Sequence, residues 1–173
     1  VPKLPEPGRR GKPPRERVEV PFPILMTTPV HHMTIDVEEY FHVSAFERHV
    51  SRAHWPRMER RVEEVLPLLL DWMAEVGAMG TFFVLGWTAE RAPELVRRIA
   101  NDGHEVASHG WDHARVTQLD PDAFRRQARD SRALLEDLTG QPVRGFREPS
   151  FSIVPGREWA LQVLVEEGYS YDS

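Results

Sequence analysis

The chain has 173 residues, 40% hydrophobic and 28% charged, which is enough for one globular domain with a sizeable core. Its formal charge of −5 and the lack of a basic stripe argue against a nucleic-acid partner, and no apolar run approaches the roughly 18 residues of a membrane span. There is no cysteine, so any metal must be held by nitrogen and oxygen.

Residues 1–25 differ in kind from the rest. They hold seven of the fifteen prolines and six Lys/Arg against three Asp/Glu, so a disordered, Pro-rich basic tail is expected there and a folded domain over 26–173. The apolar piece Phe22–Met26 is too short and too proline-rich for a signal-peptide core, which points to a cytoplasmic protein.

From His32 onward, strand and helix alternate. Met33–Val37 reads as a short strand, and Met58–Val76 as an amphipathic helix. Its apolar stripe runs through Val62, Val65, Leu66, Leu69, Trp72, Met73 and Val76, with a kink expected at Pro67 and a stop at Gly77. Gly80–Leu85 is apolar throughout, as a parallel strand buried on both faces should be. A helix over Ala92–Ala100 precedes a third strand at His104–Ser108. Asp120 then serves as N-cap, with Pro121 at the first position, for a helix to Leu138. Val143–Phe146 is the fourth strand. A helix follows Pro155-Gly156 through Glu167, and Tyr169–Asp172 starts a fifth strand. This alternation implies an α/β fold with a parallel sheet and right-handed crossovers.

Three strand ends carry chemistry, and in such sheets sites gather at the carboxyl ends. The first strand delivers Asp36, Glu38 and Glu39. The third delivers His109 and His113 four residues apart, on a stretch where Gly110 and Asp112 disfavour a helix. Two imidazoles and one carboxylate leave the fourth tetrahedral position open, which is how catalytic zinc sites are built. The fourth strand ends in Arg147-Glu148-Pro149. His104 reads as a structural hydrogen-bonder at a strand entrance, whereas Tyr40 and His42 are open to either a groove or a packing role. Trp111, between the histidines, is the best sugar-stacking aromatic, against plain loop packing.

Together, Thr34-Ile-Asp-Val-Glu-Glu-Tyr-Phe-His-Val-Ser-Ala-Phe46, Gly80-Thr-Phe-Phe-Val-Leu-Gly86, Gly103-His-Glu-Val-Ala-Ser-His109 and the Arg147-x-Pro149 motif resemble the polysaccharide deacetylases of the NodB-homology type, carbohydrate esterase family 4. The resemblance covers roughly Met33 to Ser173, and the first motif is similar to that of the bacterial subgroup found with exosortase-linked exopolysaccharide loci. It implies a distorted (β/α) barrel, here incomplete at the C-terminus, that removes N-acetyl groups from N-acetylhexosamine units of a polysaccharide. It further implies one divalent metal, with zinc the best guess, held by His109, His113 and a carboxylate. Asp36 would be the general base, paired with Arg147, and Pro149 would lie on the substrate side.

Where the family has a metal-binding Asp, this chain has Glu38 or Glu39. Glu38 is favoured because an Asp-x-acid spacing puts both side chains on one face of an extended segment. Gly110 removes a hydroxyl that braces the family's loop, so looser ligand geometry is expected, and Glu148 adds a negative charge beside the site. The family's Leu-x-His general acid would fall beyond Ser173, so a chain ending there is expected to be weakly active at most. Two other readings stay open: a cyclic imide or ureide hydrolase on the same fold, and a non-catalytic sugar-binding protein.

Overall fold

The computed structural model describes residues 31–173; the tail expected over residues 1–25 lies outside them, as does the start of the 26–173 domain. Five strands form one sheet: β1 (Thr34–Val37), β2 (Thr81–Val84), β3 (Glu105–Ser108), β4 (Gly145–Phe146) and β5 (Tyr171–Asp172). Every neighbouring pair is parallel, and the spatial order is the chain order. Because no strand is laid back on the other side of an earlier one, the chain winds in one direction, as in a (β/α) barrel and not as in a doubly wound sheet. Each observed strand is shorter than its sequence-based span by one or two residues at the ends, where pairing stops before the apolar run does.

β2 explains why the middle of the sheet is dry: Phe82, Phe83 and Val84 are all buried, so both of its faces are covered. The register sets Asp36 beside Phe83 and Ser108 beside Phe146. Residues just past β1, β3 and β4 therefore leave the sheet at the same edge.

The helices are α1 (Val62–Val76), α2 (Gly86–Arg91), α3 (Pro93–Asn101), α4 (Pro121–Thr139) and α5 (Trp159–Glu166). α1 begins four residues later than its periodicity predicts. Its start is set from a distance: the Glu39 carboxylate accepts the Arg61 N–H at 2.8 Å and the Val62 N–H at 3.3 Å, satisfying donors that a helix N-terminus leaves free. The preceding residues, Arg52–Arg57, form a 3-10 turn around Pro56 instead. α1 continues through Pro67 as one helix. Its predicted stripe was too wide. Leu66, Leu70 and Met73 face the core, while Val65, Trp72 and Val76 are each more than half exposed. Asp120 caps α4 as its side chain accepts the Ala123 N–H at 2.7 Å.

Glu39 is 2% exposed, and its loss would strand two part-buried backbone donors at the start of α1. Glu39→Ala is expected to destabilise the domain by about 1–3 kcal/mol, measured by denaturant unfolding. A change within error would show that water replaces the carboxylate without cost.

Most apolar side chains share one core between the sheet and helices α1, α3, α4 and α5. A second, smaller cluster joins Phe41, Trp55 and Trp87. Phe41 follows β1, Trp55 lies in the 3-10 turn before α1, and Trp87 is in α2.

Candidate metal centre

Glu38, His109 and His113 each offer a ligand atom, and the three atoms lie within 4.8 Å of one another. The Glu38 Oε2 is 3.3 Å from the His113 Nε2. The His109 and His113 rings meet edge to face, with centroids 5.3 Å apart. All three are partly or fully buried, at the aligned carboxyl ends of β1 and β3.

His109 has its tautomer set by the backbone. Its Nδ1–H donates to the Arg147 carbonyl at 2.7 Å, which leaves the Nε2 lone pair for the site. Burial lowers the His109 pKa, so the ring stays neutral. Burial also pushes His113 down to about 4, with the neighbouring His109 adding to the shift. His113 sits at φ 57°, a left-handed conformation that costs a non-glycine residue about 1–2 kcal/mol. Strain of this kind is held where the surrounding structure demands it.

Glu38 is the opposite case. Burial, and then the charge of Asp36, push its carboxyl up to about 7, and its Oε2 has no hydrogen-bond partner among the described residues. A buried carboxylate oxygen with no donor, facing two neutral imidazoles, is a donor set suited to a divalent cation. The residues fit the ion that the sequence implies.

Since ligands must shed their protons to bind metal, Glu38 would set the pH dependence of an ion held here. Below pH 7 it holds a proton that the ion must displace, whereas His113 is already neutral down to about 4. Affinity for a divalent ion is therefore expected to fall on acidification from about pH 8 to about pH 6, in competition titrations against a chelating dye. Equal affinity at both values would contradict this role for Glu38.

Glu39, the other carboxylate of the segment, is spent on α1 and does not join the cluster. Asp36 lies beside the cluster, with Oδ2 4.0 Å from the His109 Nε2. Its Oδ1 accepts from the Arg147 Nη1 at 2.8 Å. Arg147 is itself fixed on several sides: its Nη2 donates to the Thr34 and Ser173 hydroxyls, and its guanidinium lies 4.0 Å over the Phe83 ring. One residue thus aims Asp36 with its side chain and His109 with its carbonyl.

The histidine loop is not loose, contrary to what Gly110 suggested. The Gly110 N–H donates to the Ser108 hydroxyl at 3.1 Å, and the Trp111 N–H to the Gln127 Oε1 at 3.2 Å. The Gln127 Nε2 in turn holds Asp112 at 2.7 Å, and Arg52 holds the other Asp112 oxygen at 2.5 Å. At φ 76°, Gly110 supplies a backbone conformation that the usual hydroxyl-bearing residue would strain to adopt.

Trp111 does not line the cleft around the metal cluster. Its indole packs against α2, where a Cβ on Gly86 would come within 2.5 Å of the ring, so of the two readings left open this structure supports loop packing. Pro149 is buried and opens a 3-10 turn between Glu148 and Ser150, which line the cleft while Pro149 itself does not. His104 accepts the Gly80 N–H in the core, 5.1 Å from the Phe82 ring, as a structural residue. Glu148 does line the cleft, but burial and its hydrogen-bonded neighbour Asp172 raise its pKa to about 7, so near neutral pH it carries less than the full charge expected.

The match to known families agrees with this geometry. The family model for polysaccharide deacetylase matches residues 55–169. The chain belongs to that family. Among its relatives are a peptidoglycan-N-acetylglucosamine deacetylase of Bacillus cereus, 32% identical over 100 residues, or 57% of this chain and 36% of that protein. A chitooligosaccharide deacetylase of Rhizobium leguminosarum is 41% identical over 63 residues, covering 36% of this chain and 29% of the relative. A Mycobacterium smegmatis protein assigned to the polysaccharide deacetylases has a solved structure that superposes with a TM-score of 0.67 at 31% identity, covering 82% of this chain and 49% of that one. The chain thus spans about a third to a half of the length of these relatives. Among the described residues, no helix is long and apolar enough to cross a membrane.

Proposed function

We propose that this protein hydrolyses the acetamide of N-acetylhexosamine units in a polysaccharide, using one divalent ion, zinc by preference, on Glu38, His109 and His113. The observation that carries the reading is the convergence of three ligand atoms within 4.8 Å, beside an aspartate held by an arginine. Family membership and the N-deacetylase relatives support the same bond and the same class of substrate.

Each residue then has a task. Glu38, His109 and His113 would hold the divalent ion, which would supply Lewis-acid polarisation of the scissile carbonyl and a water acidified to the neutral range. Asp36 presents Oδ2 to the attacking water and takes its proton, while Arg147 holds Oδ1 and stops the carboxylate from turning away. The backbone carbonyl of Arg147 keeps the His109 proton on Nδ1 throughout. Water's oxygen ends on the acetyl carbon, the proton held by Asp36 passes to the departing nitrogen as the C–N bond breaks, and a free amine and acetic acid, which ionises to acetate, result.

The test compares substrates. Acetate release is expected from N-acetylglucosamine oligomers, and no ring opening from hydantoin or allantoin. Ring opening without acetate release would replace this reading with a cyclic-ureide hydrolase, and binding of oligomers without either reaction would favour a sugar-binding protein.

A further inference from the structure

The two histidines of the metal cluster are aimed by different means. The His109 ring is fixed directly, because its Nδ1–H donates to the Arg147 carbonyl. The His113 ring is buried, yet its Nδ1 has no hydrogen-bond partner among the described residues. A ligating imidazole is ordinarily oriented by a partner on its second nitrogen. Without one, the His113 ring takes its place from its backbone, which stands at φ 57°. A non-glycine backbone stays in that region only where its surroundings hold it there.

The hold comes from α4. The Gln127 side chain reaches from this helix to the two residues before His113: its Oε1 accepts the Trp111 N–H at 3.2 Å, and its Nε2 donates to the Asp112 Oδ1 at 2.7 Å. Only one orientation of the amide serves both partners, since a backbone N–H needs an acceptor and a carboxylate needs a donor. One turn further along α4, the Ser131 hydroxyl donates to the Ala128 carbonyl, and so accepts from the Ser108 hydroxyl at 2.7 Å. Ser108 in turn accepts the Gly110 N–H. The helix therefore grips the histidine loop on both sides of Gly110.

Arg52 also reaches Asp112, at Oδ2 and 2.5 Å. It is the weaker tie, because its side chain is 46% exposed and an exposed ion pair contributes little. Gln127 is half-buried and holds two consecutive residues at once.

We infer that Gln127 is a positioning residue, which aims the His113 ring at the ion by holding Trp111 and Asp112. It performs for His113 the task that the Arg147 carbonyl performs for His109. The inference rests on the metal reading of the cluster and adds to it a residue of α4 that does not line the cleft.

A positioning role predicts a loss of metal affinity that a loss of stability alone does not produce. Gln127→Leu removes both hydrogen bonds at similar side-chain size. Its zinc affinity, read by competition against a chelating dye, is expected to fall about 10–100-fold, the usual cost of losing a group that orients a ligand. Glu136→Ala is the control: it takes from the same helix an ion pair with Arg132 and the bond to the Val143 N–H, and touches neither Trp111 nor Asp112. Its zinc affinity is expected to stay at the wild-type level, even where denaturant unfolding of the metal-free protein shows it to be the less stable variant. With cobalt in place of zinc, the visible absorption reports ligand geometry and is expected to change in Gln127→Leu and not in Glu136→Ala.

Should Gln127→Leu fail to fold, Gln127→Glu keeps the acceptor for Trp111 but sets a carboxylate against Asp112, and is expected to lose affinity likewise. Unchanged zinc affinity in either folded Gln127 variant, or an equal loss in Glu136→Ala, would overturn the positioning role and leave the metal centre standing. A wild type that binds no zinc would instead sink the metal centre, and this role with it.

Discussion

Replacing His113 by alanine is expected to leave the purified protein without its divalent ion and without acetate release. The ring offers one of the three clustered ligand atoms, and its left-handed backbone has no other evident use than to aim it. Two ligands cannot replace the chelate, and Glu38, pushed up to about 7, would be only partly ionised near neutral pH. His109→Ala is expected to behave alike and to free the Arg147 carbonyl as well. Metal analysis of the three proteins checks this, and equal metal content in all of them would remove the cluster as the binding site.

The second large effect belongs to Asp36. Asp36→Asn preserves the shape and can still meet Arg147 through its amide oxygen, but it cannot accept a proton from water. Removing a positioned base of this kind typically lowers turnover by on the order of 10²–10⁴-fold, so kcat is expected to fall in that range while metal content stays at the wild-type level. The separation matters because Asp36 lies outside the three-atom cluster, at 4.0 Å from the His109 Nε2. Loss of metal in Asp36→Asn would make it a ligand and not a base.

Much of the frame was legible because its signals are local. The apolar run over β2 marks a strand covered on both faces, and Asp120-Pro121 marks the start of α4. The residues at the ends of β1, β3 and β4 could be placed at one edge from strand direction alone, before any register was known.

What was not legible depends on contacts distant in sequence. Trp111 is a packing residue because Gly86, in another element, has no Cβ. α2 escaped notice because its six residues are too few to show a period and four of them are buried. The apolar stripe of α1 is broad, and which part of it meets the core is decided by the neighbouring elements and not by its own spacing. The role of Glu39 at the start of α1 spans 22 residues and leaves no mark in either segment. The second, smaller cluster has the same character: Phe41, Trp55 and Trp87 come from three separate segments and show no periodicity that would join them.

The central claim is that a divalent ion on Glu38, His109 and His113 is needed to release acetate from N-acetylated sugars. Its most direct test is acetate release from N-acetylglucosamine oligomers by chelator-stripped protein, before and after one equivalent of zinc is returned. Activity absent from the stripped protein and restored at one ion per chain is the predicted result, and undiminished release by metal-free protein would contradict the account.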